Sequence, residues 1–524
     1  CIGREFSHGL LAKISHLSDA DLDTALDGLI RAELIYRRGL PPEATYLFKH
    51  ALVRDAAYES LLKFRRKDIH ERIFRLFDCD DKIAPEIVAH HASLASQHED
   101  AVRYWKKAGT LAQARPAYDE AANHIKAAIS LVETLRDQPE WAEMHLRLLV
   151  QLAQIYIAKE GYASTEASEA FACALEKIEA TTNRELRVAV YYGTWIAPYI
   201  GGRLAISFEL ANRLVEEMET GAEPISSLIA HRMRAANLIA MGRSSEALKD
   251  LEISYELYRS VDLTEFSSKF AQDPGVQIQC YQLLAMWMCG EPTKAVALGQ
   301  AAIERAQSLN HANTFCYAGL HDVTLSIWIG DITRAREIND QMRQFAFDHD
   351  MALWKVFCEL HDHVIGCMDD DPCAIASLPR AIEDYLAIGC GLWKSLYRAE
   401  YAKALLRKDD FEGALAAIDL TFSEIADSAE HWADAELLRI RGEVYCKLGN
   451  IPSANNAFQD AINIARTQKA QMLELRAALS LARNTQVVHT SEELNRALSM
   501  FGPEETAPDL IDARNLLAKW NAAN

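Results

Sequence analysis

The most regular feature along the chain is a turn residue followed five positions later by an alanine, set between two stretches of helical hydrophobic periodicity. The pair recurs at Gly242/Ala247, Gly290/Ala295, Gly330/Ala335, Asp369/Ala374, Asp409/Ala414 and Gly449/Ala454, and from Gly290 onward the turns are 40, 39, 40 and 40 residues apart. A second small residue often follows seven positions after the alanine, as Ser254, Ala302, Ala381 and Ala461 do, whereas Met342 and Thr421 depart from this. Seven positions are two helical turns, so both small residues lie on one face, where a neighbouring helix approaches closely. Before Gly290, the residues Cys280, Tyr281, Leu284, Trp287 and Met288 form one apolar stripe, and glycine at its end supplies the positive φ that stops the helix. Each unit therefore reads as a helical hairpin.

Ala101/Ala108 and Ala121/Ala128 place two further helices at half the repeat interval, so the hairpins are expected to start near residue 85 and to end near 485. Proline and glycine fall largely at the breaks this requires: Pro41-Pro42, Pro85, Pro139, Gly201-Gly202, Pro274-Gly275 and Gly502-Pro503. Strand signals are scarce. The convincing pair flanks Gly39 to Ala44, with Leu34-Ile35-Tyr36 on one side and Tyr46-Leu47-Phe48 on the other. Two helices are expected before it, over residues 6–16 and 19–32, with Asp19 and Asp21 as caps of the second. Helices followed by a small hairpin and another helix outline a winged-helix domain. The expected organisation is an all-α chain: residues 1–75 winged-helix-like, 76–485 a superhelical array of helical hairpins, and 486–524 a helical tail.

Composition narrows the function. Half of the 524 residues are apolar, enough for a large core. With 75 acidic against 55 basic residues the net charge is -20, which disfavours direct nucleic-acid binding. The one short basic run, Lys63 to Lys67 continuing to Arg72 and Arg75, reads as a solvated helix face. Eleven cysteines without pairing intervals read as reduced residues of a cytoplasmic protein. No stretch reaches the roughly 18 apolar residues that span a bilayer, so no membrane association is expected. Cys1 reads as a cut in a longer sequence and not as a lipid-bearing terminus.

No catalytic pattern appears. A Gly-rich loop ending in Gly-Lys-Ser/Thr, which would cradle a triphosphate, is absent, as are Cys-x-x-Cys, His-Glu-x-x-His, a calcium loop and Gly-x-Ser-x-Gly. These residues are expected to hold no catalytic centre, no metal and no cofactor of their own. The pairs His90-His91 and His361/His363 invite a metal reading, but neighbours on a helix point about 100° apart and i, i+2 residues nearly opposite, so neither pair is expected to chelate one ion. Trp287, Trp328, Trp354, Trp393 and Trp432 are expected on the first helices of the hairpins, mainly as core. Stacked hairpins offer a concave surface for a protein or peptide ligand, the expected use of the array.

The run Phe48-Lys49-His50-Ala51-Leu52-Val53-Arg54-Asp55-Ala56-Ala57-Tyr58-Glu59-Ser60-Leu61-Leu62, with His70 following, resembles the large bacterial signal-transduction ATPases that end in a tetratricopeptide-like array. Further similarity lies at Ile2-Gly3-Arg4-Glu5-Phe6, Ala32-Glu33-Leu34-Ile35, Tyr104-Trp105-Lys106-Lys107-Ala108-Gly109, Asp273-Pro274-Gly275-Val276 and Glu474-Leu475-Arg476-Ala477-Ala478, spanning nearly the whole chain. The subset most resembled carries a class III adenylate or guanylate cyclase domain before the ATPase. The resemblance implies a regulatory and sensor scaffold acting on upstream cyclase and ATPase domains, with ATP or ADP held by that ATPase. It also implies that His50, at the position of a Phe-x-His motif, contacts an ADP phosphate in the intact parent; the reading from the residues alone is that His50 caps or packs the following helix. The repeat near 40 departs from the 34-residue tetratricopeptide length, so contact positions do not transfer. Two other readings stay open: the sensor arm of an ATPase-type transcription regulator, and a free-standing repeat adaptor.

Overall fold

The computed structural model describes residues 3–135, 139–219, 221, 223–261, 272–485 and 488–523. Among them are 26 α-helices and three short strands, and none of the helices is long and apolar enough to cross a membrane. The chain divides into two compact units. One holds the residues up to Glu160 with Ser164–Thr182; the other holds Gly161–Ala163 with the residues from Asn183 onward. The helices over residues 85–176 thus fall in the same unit as the N-terminal module, across the boundary expected near residue 75.

The first unit opens with β1 (Glu5–Ser7), α1 (His8–Ile14), α2 (Asp19–Arg31), β2 (Ile35–Arg38), β3 (Thr45–Phe48), α3 (Ala51–Glu59) and α4 (Lys63–Phe77). The expected hairpin is present, and β1 adds a third antiparallel strand in the order β1-β3-β2. Its core is Leu22, Leu26, Ile35, Ala44 and Tyr46. Two local expectations change. Residues 5–7 are strand, because Phe6 pairs with Tyr46 across the sheet and stacks on its ring. The cap of α2 is Ser18, whose hydroxyl accepts from Asp21 N–H, leaving Asp19 and Asp21 in the first turn. The unit continues with α5 (Pro85–Leu94), α6 (His98–Ala114), α7 (Tyr118–Val132), α8 (Pro139–Glu160) and α9 (Thr165–Glu176).

The second unit is a run of tetratricopeptide-like hairpins. Its helices are α10 (Arg184–Ile200), α11 (Leu204–Met218), α12 (Pro224–Ala240), α13 (Ser244–Ser260), α14 (Pro274–Met288), α15 (Pro292–Ser308), α16 (Ala312–Ile329), α17 (Ile332–Asp348), α18 (Ala352–Met368) and α19 (Pro372–Ala387). They continue as α20 (Lys394–Arg407), α21 (Phe411–Ile425), α22 (Asp434–Lys447), α23 (Ile451–Gln468), α24 (Gln471–Thr485), α25 (Val488–Leu498) and α26 (Pro508–Ala523). The six turns fall at the expected places. Gly242, Gly290, Gly330, Asp409 and Gly449 have positive φ; at the sixth, Asp370 adopts it one residue after Asp369. The alanines five positions on are all buried under the preceding helix, and so are the residues seven further along, including Met342 and Thr421. Those two fill space where the other units have a small side chain.

The turns of this array also touch one another over long sequence distances. Gly391 and Leu392, before α20, donate backbone hydrogen bonds to Ile200 O at the end of α10 (2.8 and 2.9 Å), and His431, before α22, donates to Ala240 O at the end of α12 (3.1 Å). The approach is so close that a Cβ on Gly391 would stand 2.6 Å from Gly201 O, and one on Gly202, itself at φ +74°, 3.0 Å from Gly391 O. The inner surface is therefore enclosed at this level and is not the open groove that the hairpin pattern alone suggests.

Candidate functional site

The enclosed inner surface of the second unit holds a cavity of about 100 Å³ whose walls are mainly aromatic. Helix α10 contributes Tyr192, Trp195 and Tyr199; α14 and α16 contribute Tyr281, Tyr317 and His321; α18 and the loop before α20 contribute Trp354, Phe357 and Trp393. Trp195 and Tyr199 stack at 4.4 Å between centroids, and the Tyr199 and Tyr281 hydroxyls are hydrogen-bonded at 3.2 Å. Burial pushes the hydroxyls of Tyr199 and Tyr317 well above the usual phenol range. His321 Nδ1 lies 2.8 Å from Tyr317 O, which assigns the proton to Nδ1, and burial pulls the imidazole down to about 4, so it is neutral.

One charged side chain lines this cavity: Arg232, from the middle of α12. It is only 4% exposed, and its Nε has no hydrogen-bond partner. Its guanidinium carbon sits 5.8 Å from the Tyr192 ring centre. On the same helix, His231 and Arg234 both engage Asp250, at 2.8 and 2.6 Å. Two residues of separation turn Arg232 nearly to the opposite face, away from that carboxylate. Another buried acid of the interior, Glu430, is bonded at Oε1 by Ser395 and by Trp432 Nε1 (3.3 Å), while its Oε2 has no partner.

Further along the same interior a polar cleft of about 360 Å³ presents a contrasting arrangement. Lys403 Nζ lies 2.8 Å from both Glu400 and Glu436, Arg439 Nε is 2.7 Å from Glu436, and Arg476 Nε is 2.8 Å from Asp509. Burial alone would raise Glu436, but Arg439 and Lys403 overcome it and hold the carboxyl well below its ordinary range. Arg407 and Arg483 of the same wall pair with Asp370 and Asp512, so each of its five cations has a carboxylate.

The tryptophans are core and cavity wall together. Trp287, Trp328, Trp432 and Trp393 form a chain of ring contacts at 5.0, 5.1 and 5.4 Å, capped by the Arg476 guanidinium over Trp287 at 4.9 Å. Only Trp287, Trp328 and Trp354 lie on first helices; Trp393 and Trp432 sit in the loops before α20 and α22, where the turns of the array meet. Sequence reasoning missed Arg232, although a signal exists: it interrupts the buried stripe Leu228, Ala235, Ala236 and Ile239 of α12. A second signal is the 40-residue recurrence of Tyr317, Phe357 and Tyr397, and of His321 and His361, on successive inner helices.

The other candidates lie in different settings. His50 is exposed at the N-cap of α3, directly after β3; its side chain makes no capping bond, and its carbonyl accepts from Val53 and Arg54. His91 turns inward to His70 of α4, Nδ1 to Nδ1 at 2.8 Å, while His90 is exposed. His361 is buried and His363 half-buried. Among the described residues no group of three or more metal-ligating side chains is placed to hold an ion. Of the basic run, Lys63, Arg65 and Lys67 are exposed, as are Cys79 and Cys373 among the free cysteines.

No protein-family description matches the sequence. The chain is 22% identical over 487 residues to "Uncharacterized protein R02095" of Rhizobium meliloti (strain 1021), the match covering 90% of this chain and 46% of that protein. The chain thus spans about half the length of the curated relative it matches. Among solved structures it is similar to a Rap protein complexed with competence and sporulation factor (14% identity, 70% of this chain and 98% of that one, TM-score 0.47). It is also similar to the Cut9–Hcn1 hetero-tetramer of the APC/C (12% identity, 95% of this chain and 88% of that one, TM-score 0.41).

Proposed function

We propose that the chain is the regulatory and sensor arm of a larger signal-transduction ATPase, passing ligand occupancy of its repeat array to an upstream adenylate or guanylate cyclase domain. In this reading residues 1–75 act as a winged helix seated against the ATPase domain, and a protein, peptide or smaller ligand acts on the array. The observation that carries it is α3. None of its nine residues is buried, Leu52 near its start is 81% exposed, and Leu62 and Phe64, after its end, are 65% and 63% exposed. A helix of this length with no buried face is marginal in water, and it would gain stability if a partner covered it. His50 opens this same helix, with its imidazole free of a capping role, as contact with a bound ADP would require. The strand, helix, helix, hairpin order of β1 to β3 is the order a winged helix would have, and the relative is long enough to hold a further domain.

The test uses the protein with its upstream sequence. An imidazole N–H to a phosphate is a charge-assisted hydrogen bond of about 1.5–3 kcal/mol, so His50→Ala should weaken ADP binding roughly 10- to 150-fold and raise basal cyclase activity. Leu52→Asp should raise basal activity in the same way while leaving the melting temperature of the isolated chain unchanged, because Leu52 buries nothing there. Unaltered ADP affinity with a lowered melting temperature in His50→Ala would refute the switch role.

A further inference from the structure

Arg232 is a cation walled in by aromatic rings and left without an anion. Removing a guanidinium from water without a carboxylate is unfavourable by several kcal/mol in general terms, and this chain has 75 acidic residues from which a partner could have been drawn. The polar cleft of the same interior shows what a structural cation looks like in this protein: Lys403, Arg439 and Arg476 are each paired. Among the described residues the aromatic cavity has no acidic side chain in its wall, and Arg232 shares it with tyrosine hydroxyls and a neutral histidine.

We propose that this cavity binds a small organic acid with a flat apolar body, its carboxylate taken by Arg232 and its body held among Trp195, Tyr199, Tyr281 and Trp354. A guanidinium presents a planar fork that matches a carboxylate in two parallel hydrogen bonds. Aromatic walls favour a planar partner, and the hydroxyls of Tyr199 and Tyr281 can serve a carboxylate edge or a ring substituent. The volume of about 100 Å³ sets the size: it approaches the ~150 Å³ apolar cavities that admit benzene, so the body is one ring or a short branched chain. The signalling consequence rests on the sensor reading above; the binding itself does not and is measured on the chain alone.

The experiment is calorimetric titration of the purified 524-residue chain with benzoate, phenylacetate and 4-hydroxybenzoate, each beside its neutral amide, and with inorganic phosphate. At least one acid should bind with a Kd below about 5 mM, as the ligand efficiency of so small a molecule allows, and at least about 10-fold more tightly than its amide and than phosphate. Arg232→Met should weaken that acid by at least about 30-fold and leave the melting temperature of the unliganded protein unchanged or raised. Arg232→Lys, which keeps the charge but not the fork, should remain folded and weaken it about 5- to 10-fold. The proposal is overturned by absence of binding for all three acids at that threshold, by amides or phosphate binding as tightly as the acids, or by an Arg232→Lys protein with undiminished affinity. A cyclase that fails to respond to a bound acid would instead overturn the sensor reading and leave the site standing.

Discussion

Lowering the pH should loosen the contact between α4 and α5 well before the rest of the first unit is affected. His70 and His91 face each other there, Nδ1 to Nδ1 at 2.8 Å, with Tyr58 Oη 3.2 Å from His70 Nε2. Two imidazoles can share that bond only if one nitrogen donates and the other accepts, so the accepting ring must be neutral; burial disfavours charge on either ring, and protonating both would set two donors against each other. Burial, reinforced by the neighbouring rings, pulls His70 down to about 4 and His91 to about 3. Their folded values lie below the unfolded value of about 6.5, so between these limits the unfolded chain binds more protons and stability rises with pH. The contribution is complete above about pH 6.5 and is lost as pH falls towards 4. Integrating from pH 8 to pH 5 gives about 2 kcal/mol for each ring and about 4 kcal/mol for the pair. Hydrogen exchange of peptides from residues 63–94, corrected for intrinsic rates, measures the opening free energy at each pH. His91→Gln removes one titrating ring and should halve the loss. An opening free energy that stays flat within about 0.5 kcal/mol from pH 8 to 5, or that falls equally in the variant, would refute the neutral pair.

Two further perturbations separate packing from propensity and pairing from burial. At Gly442 in α22 a Cβ would meet the ring of buried Phe458 at 2.5 Å, so overpacking of about 1–3 kcal/mol should outweigh the gain of about 1 kcal/mol in helix propensity and lower the denaturation midpoint of Gly442→Ala, whereas Gly28→Ala in α2, where nothing lies within 4 Å, should raise stability by about 0.5–1 kcal/mol. Urea titrations followed by peptide-resolved exchange read the two units separately; a stabilised Gly442→Ala would contradict the packing. Glu436→Ala strips Lys403 and Arg439 of a shared partner at 2.8 and 2.7 Å, but Glu400 and Glu443 remain beside them, so the cost should be about 2–3 kcal/mol and not the full 3–5 of an orphaned buried charge. A loss under about 0.5 kcal/mol in the same titration would mean the pair is solvated in solution.

What the sequence makes legible is whatever repeats locally. Turn glycines and the alanines five positions on are written into every unit, because a helix stop needs positive φ and a close crossing needs a small side chain, and both requirements act within a few residues. The strand β1 is three residues whose pairing is with residues about 40 further on, so nothing local separates it from the start of α1. The neutral pair shows the same limit: spacing on one helix sets His90 and His91 about 100° apart, but both rings lie against His70, which comes from α4. Closure of the inner surface is least legible of all, since it rests on bonds such as Gly391 to Ile200, and the trace left in the sequence is Gly201-Gly202, which reads first as an ordinary break.

That closure gives the cavity its leverage. Its walls come from α10, α12, α14, α16 and α18 on one side and from the loop before α20 on the other, the two sides that Gly391, Leu392 and His431 join through backbone bonds at the ends of α10 and α12. A ligand held between Arg232 and Trp393 would therefore add its binding energy to a contact between turns of the array that are nearly two hundred residues apart, and would favour the closed arrangement over any in which those turns part. At a concentration one hundred times its Kd this amounts to about 2.7 kcal/mol, comparable with the net contribution of two or three hydrogen bonds and so with the two backbone bonds at Ile200. In the free protein the cation is uncompensated, and occupancy would supply its anion while adding to the interturn contact.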